Sequence, residues 1–206
     1  MIDVKQDGRL WTVTLSRPEK ANSLTKAMLT DLAGVATNAA ARGVQVLVLT
    51  GAGKVFSAGA DLDQARAGLA RDPIWQEVSS AIAALPCLTI AALNGTLAGG
   101  AFGMALACDL RIAVPQAKFF YPVMKLGFLP QPSDPARLVE LVGPSRAKMI
   151  LMAGARIDAD EALNWGLIDK ISAPDALAET VAGCSADALS ATGEHVAAIK
   201  TMLGKK

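Results

Sequence analysis

The chain has 206 residues, 52% of them apolar and 19% charged, with a net charge of +1. Apolar content this high excludes intrinsic disorder, and Lys and Arg gather in no stripe or arm, which excludes a nucleic-acid footprint. Charged residues fall below the ~25% of ordinary soluble domains, so the apolar excess needs either a membrane segment or surface hidden in an oligomer. Cys87, Cys108 and Cys184 fit no metal-ligand spacing and read as thiols of a reducing compartment. Neither a metal nor a cofactor is expected. Asp3, Lys5 and Asp7 interrupt any signal-peptide pattern, which points to a cytoplasmic protein.

Taken in chain order, residues 10–15 alternate apolar and polar as a half-buried strand does. Thr25 is placed to cap a helix whose Met28, Leu32, Val35 and Ala39 share a face, with Gly43 closing it. Residues 44–49 are almost wholly apolar, the pattern of a strand buried on both faces. A glycine loop follows, then a short helix from Asp61 and another over 73–85. Short strands are expected near 110–114 and 118–120, helices near 135–142, 146–152 and 160–164, and a late strand over 167–171. Residues 172–192, rich in Ala, Ser and Gly, read as a join to a last amphipathic helix carrying Val196, Ile199 and Leu203. Strands alternating with helices argue for an α/β fold.

Residues 78–108 hold no Asp, Glu, Lys or Arg, a run long enough to cross a membrane. Pro86, Asn94-Gly95, Gly99-Gly100 and Gly103 cut it into pieces too short to satisfy their own backbone in lipid. The run therefore reads as a helix, a buried strand over 88–93, a turn and a second buried helix, and no membrane association is expected.

Two glycine loops carry the chemistry. Gly51-Ala52-Gly53-Lys54 matches neither the dinucleotide fingerprint nor the phosphate loop. No G-x-S-x-G occurs, and the single histidine, His195, falls in a peripheral helix, so a serine-hydrolase triad is not formed. The segments 56–62 (FSAGADL) and 94–100 (NGTLAGG) each follow a buried strand and open a helix. Turns of that kind present unpaired backbone N–H groups, and two of them converging would form an oxyanion hole made of main chain.

Together with residues 16–24 (SRPEKANSL), 46–51 (VLVLTG), the longer run 94–113 (NGTLAGGAFGMALACDLRIA), Leu126-Gly127 with Pro130, and 165–168 (WGLI), these loops resemble the crotonase, or enoyl-CoA hydratase/isomerase, family over nearly the whole chain. The resemblance implies a crotonase-like α/β spiral of ββα repeats over residues 1–172, followed by a C-terminal helical segment, 173–206, shorter than is usual in the family. It also implies a homotrimer or dimer of trimers and an acyl-CoA thioester as ligand. Carried over, the oxyanion hole is the backbone N–H of Ala58 and of Gly100. Ser57, Gly59, Ala60, Asp61, Leu62 and Gly99 lie along the substrate and CoA, and Lys20 approaches the phosphates.

The acid/base positions depart from the family. Its hydratases carry one glutamate where this chain has Gly103 and a second where it has Val123. Neither replacement can move a proton, so ordinary hydration is not expected. Tyr121, Lys125 and Asp134 are the candidate replacements. Ser133-Asp134-Pro135 also reads as a helix start, with Asp134 as the cap. The expected reaction is of lyase, isomerase or decarboxylase type. The alternative is a non-catalytic acyl-CoA-binding or oligomer-partner protein of the same fold.

Overall fold

The computed structural model describes residues 1–204. Strands β1 (Ile2–Asp7) and β2 (Leu10–Leu15) form an antiparallel hairpin, and Trp11, Val13 and Leu15 of β2 point into the core while the residues between them do not. Alternation gave β2 away. Strand β1 alternates only at Ile2 and Val4, both half-buried, before the polar residues 5–7, a shorter pattern than that of β2. Helix α1 (Lys26–Ala41) starts at Thr25, whose Oγ1 accepts from the Met28 N–H at 3.2 Å, as expected.

From there the chain repeats one unit. Strand β3 (Val46–Gly51) joins the first sheet, β4 (Val55–Ser57) crosses to a second sheet, and helices α2 (Leu62–Arg66) and α3 (Ile74–Ala83) return. Then come β5 (Leu88–Leu93), β6 (Thr96–Ala98) and α4 (Phe102–Ala107), followed by β7 (Leu110–Ala113), β8 (Lys118–Phe120), α5 (Val123–Leu126) and α6 (Asp134–Leu151). Strands β2, β3, β5 and β7 run parallel in the first sheet and β4, β6 and β8 in the second. The result is the expected spiral of ββα turns. Strand β9 (Ile157–Asp158) closes the second sheet antiparallel to β8, and after α7 (Ala159–Trp165) strand β10 (Lys170–Ile171) closes the first.

The charge-free run 78–108 resolves into α3, β5, β6 and α4, and no helix of the described residues is long and apolar enough to cross a membrane. The two helices expected over 135–142 and 146–152 are both present, set end to end in α6 and separated by a break at Gly143 (φ 78°, ψ 165°), where Pro144 lacks the N–H that would continue the ladder. The expected join over 172–192 is instead mostly helix α8 (Leu177–Ser190). Its small residues concealed a stripe, Leu177, Val181 and Ser185, that packs against the first sheet. The expected last helix is α9 (Gly193–Met202), which carries Val196 and Ile199 and ends just before Leu203; Ile199 and Leu203 are exposed.

Side-chain amides hold the inter-sheet crossings. Asn22, fully buried, donates through Nδ2 to the carbonyls of Ala52 (2.8 Å) and Val55 (2.7 Å) and accepts from the Arg17 N–H (2.9 Å). Asn94 does the same for Gly51 and Gly53 on the next crossing. A Cβ on Gly95 would overlap the Lys54 carbonyl, so only glycine lets these two crossings stack.

Candidate active site

The two glycine loops meet. Gly59 sits at φ +91°, and a Cβ there would lie 2.9 Å from the Ala98 carbonyl oxygen and 3.4 Å from the Gly100 nitrogen. The backbone of 56–62 therefore passes directly over the start of the 3₁₀ turn Gly99–Ala101. The first N–H groups of such a turn have no partner inside it, which leaves the Gly100 N–H available to a ligand.

Its counterpart is not the one expected. The Ala58 N–H donates to the Ala21 carbonyl at 3.0 Å and is spent on the fold. Two residues on, Ala60 bridges to Leu24 in parallel fashion. Leu24 N–H donates to the Gly59 carbonyl and Asp61 N–H to the Leu24 carbonyl, which turns the intervening Ala60 N–H to the other side. Among the described residues it has no acceptor. The free pair is thus Ala60 and Gly100. Sequence could not separate Ala58 from Ala60, because the choice depends on which of two alternating N–H groups the Ala21 carbonyl takes.

Ser57 also plays a different part. It is buried, donates to the Asn22 carbonyl (2.8 Å) and accepts from the Gly59 N–H (3.1 Å), so its hydroxyl shapes the loop and is closed to a substrate. Asp61 caps α2 through the N–H groups of Asp63 and Gln64 and pairs with Arg17 at 2.7 Å. The Arg17 bond leads the causes that hold its carboxyl below the usual range. Lys20 and Lys125 are exposed, and Lys125 is not on the cavity wall.

A cavity of about 130 Å³ opens beside the free donors. Ala58, Ala60, Leu62, Gly99, Gly100 and Tyr121 all line it, so the structure gathers six of the predicted residues around one space. Val123 lines it too, and Trp75, Phe120, Phe128, Leu129 and Gln131 complete much of its wall. Sequence reasoning missed these last residues. They come from three separate segments, and no local pattern joins them. A larger cavity of about 600 Å³ lies between α8, α9 and the ends of β5 and β7, but no residue of either glycine loop reaches it, so size is a poor guide to the chemistry here.

Behind the cavity wall lies a buried polar cluster. The Tyr121 hydroxyl donates to Asp134 Oδ2 at 2.9 Å, and its ring stacks on Phe102 with centroids 5.3 Å apart. Asp134 is fully buried, and its Oδ1 has no partner. A Cβ on Gly103 would lie 3.0 Å from that oxygen, so the carboxylate occupies the space a side chain at 103 would take. The expectation that Asp134 caps a helix fails. Ser133 stands at the cap position, and Asp134, one residue further on, turns inward. Burial is the main force on its carboxyl and pushes it up to about 6, against the opposing effects of the Tyr121 bond and the Arg137 charge. Burial, with the Asp134 charge beside it, raises the Tyr121 phenol well above its ordinary value, so it stays protonated. Arg137 bonds through Nη1 to Ser79 Oγ, and Ser79 donates to the Gly103 carbonyl at 3.0 Å.

The family model for enoyl-CoA hydratase/isomerase matches residues 5–206. The chain belongs to that family. Among its relatives, the Bacillus subtilis member YngF is 38% identical over 170 residues, covering 79% of this chain and 65% of its own. Mycobacterium tuberculosis EchA17 is 34% identical over 204 residues, covering 96% and 78%. The chain therefore spans about two thirds to three quarters of these relatives. The crystal structure of an enoyl-CoA hydratase from Bacillus anthracis matches with a TM-score of 0.91 at 31% identity, covering 98% of this chain and 81% of that one. A Thermobifida fusca structure solved in complex with CoA matches at 0.86 and 30%, covering 98% and 83%. The crotonase fold read from the sequence is thus the fold the chain adopts.

Proposed function

We propose that this enoyl-CoA hydratase/isomerase family member binds an acyl-CoA thioester and shifts a proton between carbons conjugated to the thioester carbonyl, an isomerase-type reaction. The observation that carries the reading is the pair of free N–H groups, Ala60 and Gly100, on one cavity. Donors fixed in this way stabilise an enolate oxygen, and losing one costs roughly 10²–10³ in rate. The Thermobifida fusca complex supports CoA as the common handle.

Hydration needs a base for water and a separate acid for carbon. Here a single unit, Tyr121 backed by Asp134, stands at the wall. A double-bond shift needs no more. A carbon-bound proton passes to the Tyr121 oxygen while the phenol proton passes to the Asp134 carboxylate. The enolate forms on Ala60 and Gly100, the Tyr121 and Asp134 protons exchange with solvent, and a proton then returns from Tyr121 to a different carbon while Asp134 restores the phenol. Nothing is gained or lost overall.

Incubation of 2-enoyl- and 3-enoyl-CoA esters in D₂O tests this. Interconversion with deuterium incorporation and no hydroxyacyl product is expected. A hydroxyacyl product refutes it in favour of hydration, and turnover of malonyl-type esters alone favours decarboxylation. Tight ester binding with no exchange supports the non-catalytic acyl-CoA-binding alternative. A homotrimer or dimer of trimers is proposed on the same family grounds, with exposed Leu129, Met202 and Leu203 as apolar surface to cover. A monomer by light scattering would contradict it.

A further inference from the structure

We infer that the site takes a short, uncharged acyl group of about four or five carbons, and that Trp75 sets that limit. The inference rests on the acyl-CoA reading above and deepens it.

The walls argue for the charge. Trp75, Phe120, Val123, Leu126, Phe128 and Leu129 are apolar, and no Lys, Arg, His, Asp or Glu among the described residues lines the cavity. A carboxylate on the acyl chain would be stripped of water there with no partner, a cost that selects against it.

The volume argues for the length. CoA is far too large for 130 Å³, so a thioester whose oxygen rests on Ala60 and Gly100 must send its CoA out of the mouth and its acyl chain inward. An apolar cavity of about 150 Å³ holds one benzene, six carbons. The present cavity is slightly smaller.

Trp75 is the residue that fixes the floor. Its ring atoms lie 3.1–3.2 Å from where a Cβ on Gly100 would be, so the indole rests directly against the oxyanion donor. It cannot swing away, because its N–H donates to the Leu69 carbonyl at 2.8 Å and it is 3% exposed. Helix α3 and the 3₁₀ turn Leu69–Arg71 therefore hold a rigid plate at the place an acyl chain would grow toward. Leu126 and Leu129, also on the wall, are exposed and freer to yield to a longer chain.

Calorimetric titration with saturated acyl-CoA esters from two to ten carbons tests the inference on the wild-type chain. Affinity should rise roughly fourfold per carbon while methylenes are being buried, then level or fall beyond about five carbons. Succinyl-CoA should bind at least tenfold more weakly than butyryl-CoA. In Trp75→Leu the rise should continue for about two more carbons. Trp75→Phe, which keeps an aromatic plate and disturbs the core less, should give an intermediate shift. Octanoyl or decanoyl esters binding wild type as tightly as butyryl would overturn the length limit. An unchanged optimum in a folded Trp75 variant would overturn the role of Trp75. If no ester binds, free CoA included, the acyl-CoA reading itself fails and this inference falls with it.

Discussion

Asp134→Asn should make the protein more stable at neutral pH and no more stable in acid. The ordinary carboxyl value is 3.8 and the folded one about 6. Below 3.8 the carboxyl is protonated in both folded and unfolded chains and imposes no pH-dependent cost. Between 3.8 and 6 the unfolded chain releases its proton while the folded chain keeps it, so stability falls as pH rises. Above 6 the deficit is complete. Two pH units at 1.36 kcal/mol each make it about 3 kcal/mol. Asparagine carries no charge and keeps an oxygen for the Tyr121 hydroxyl. The attraction of Arg137 for the ionised carboxylate is already contained in the folded value of about 6, so it does not enter twice. Urea denaturation of wild type and variant at pH 4 and pH 7.5, at one protein concentration, measures the difference between the two pH values. Titrations of all other groups cancel between the proteins. Stability profiles that run parallel across this range would refute the reasoning, because they would mean that the buried carboxyl titrates as an ordinary one. The same variant should lose the proposed proton transfer, since an amide cannot take a proton from Tyr121.

Two further substitutions probe the site. Tyr121→Phe should lower the rate by about 10²–10⁴ with ester affinity little changed, as measured by single-turnover exchange and calorimetry. Wild-type exchange should increase as pH passes through about 6, where Asp134 becomes able to accept a proton, and the residual rate of the Phe variant should lack that inflection. Gly59→Ala places a side chain at φ +91° against the Ala98 carbonyl. It should destabilise the fold by about 1–3 kcal/mol and, by parting the two loops, abolish turnover in the protein that remains folded. A folded and fully active variant would show that Ala60 and Gly100 do not act as a pair.

How legible the molecule was depended on how local the signal was. The strand over 10–15, the Thr25 cap and the breakers that divide 78–108 are written within a few residues of where they act, and all appear in the structure. Strands β4 and β6 are three residues long, and their pairing is set by Asn22 and Asn94 reaching across from other turns of the spiral. No window of sequence contains that information. The same limit governs the site. The two glycine loops were visible as motifs, but which N–H stays free depends on the Ala21 carbonyl, 37 positions before Ala58 in the chain. Asp134 looked like a cap because Ser-Asp-Pro is a cap pattern. Its inward turn depends on Gly103 leaving room and Tyr121 offering a proton, neither of which is near it in sequence.

That dependence gives the cluster its logic. A carboxylate at 134 costs stability at neutral pH, and an apolar residue of similar size would remove the cost. The surroundings offset that cost only in part, since burial outweighs them and Asp134 Oδ1 has no partner. Arg137 lies one helical turn along α6, Ser79 ties its guanidinium to the Gly103 carbonyl, and Gly103 supplies the space. Four residues on three helices and one on the loop after β8 thus keep one carboxyl ionisable in an apolar interior, one phenol away from the cavity. A purely structural polar contact would not need a side chain whose proton comes and goes near neutrality. A group that has to take and return a proton does, and it works best when its own value lies near the working pH. The loss of stability at Asp134 and the gain of an acid/base group are on this view the same property, so the variant that repairs the first should abolish the second.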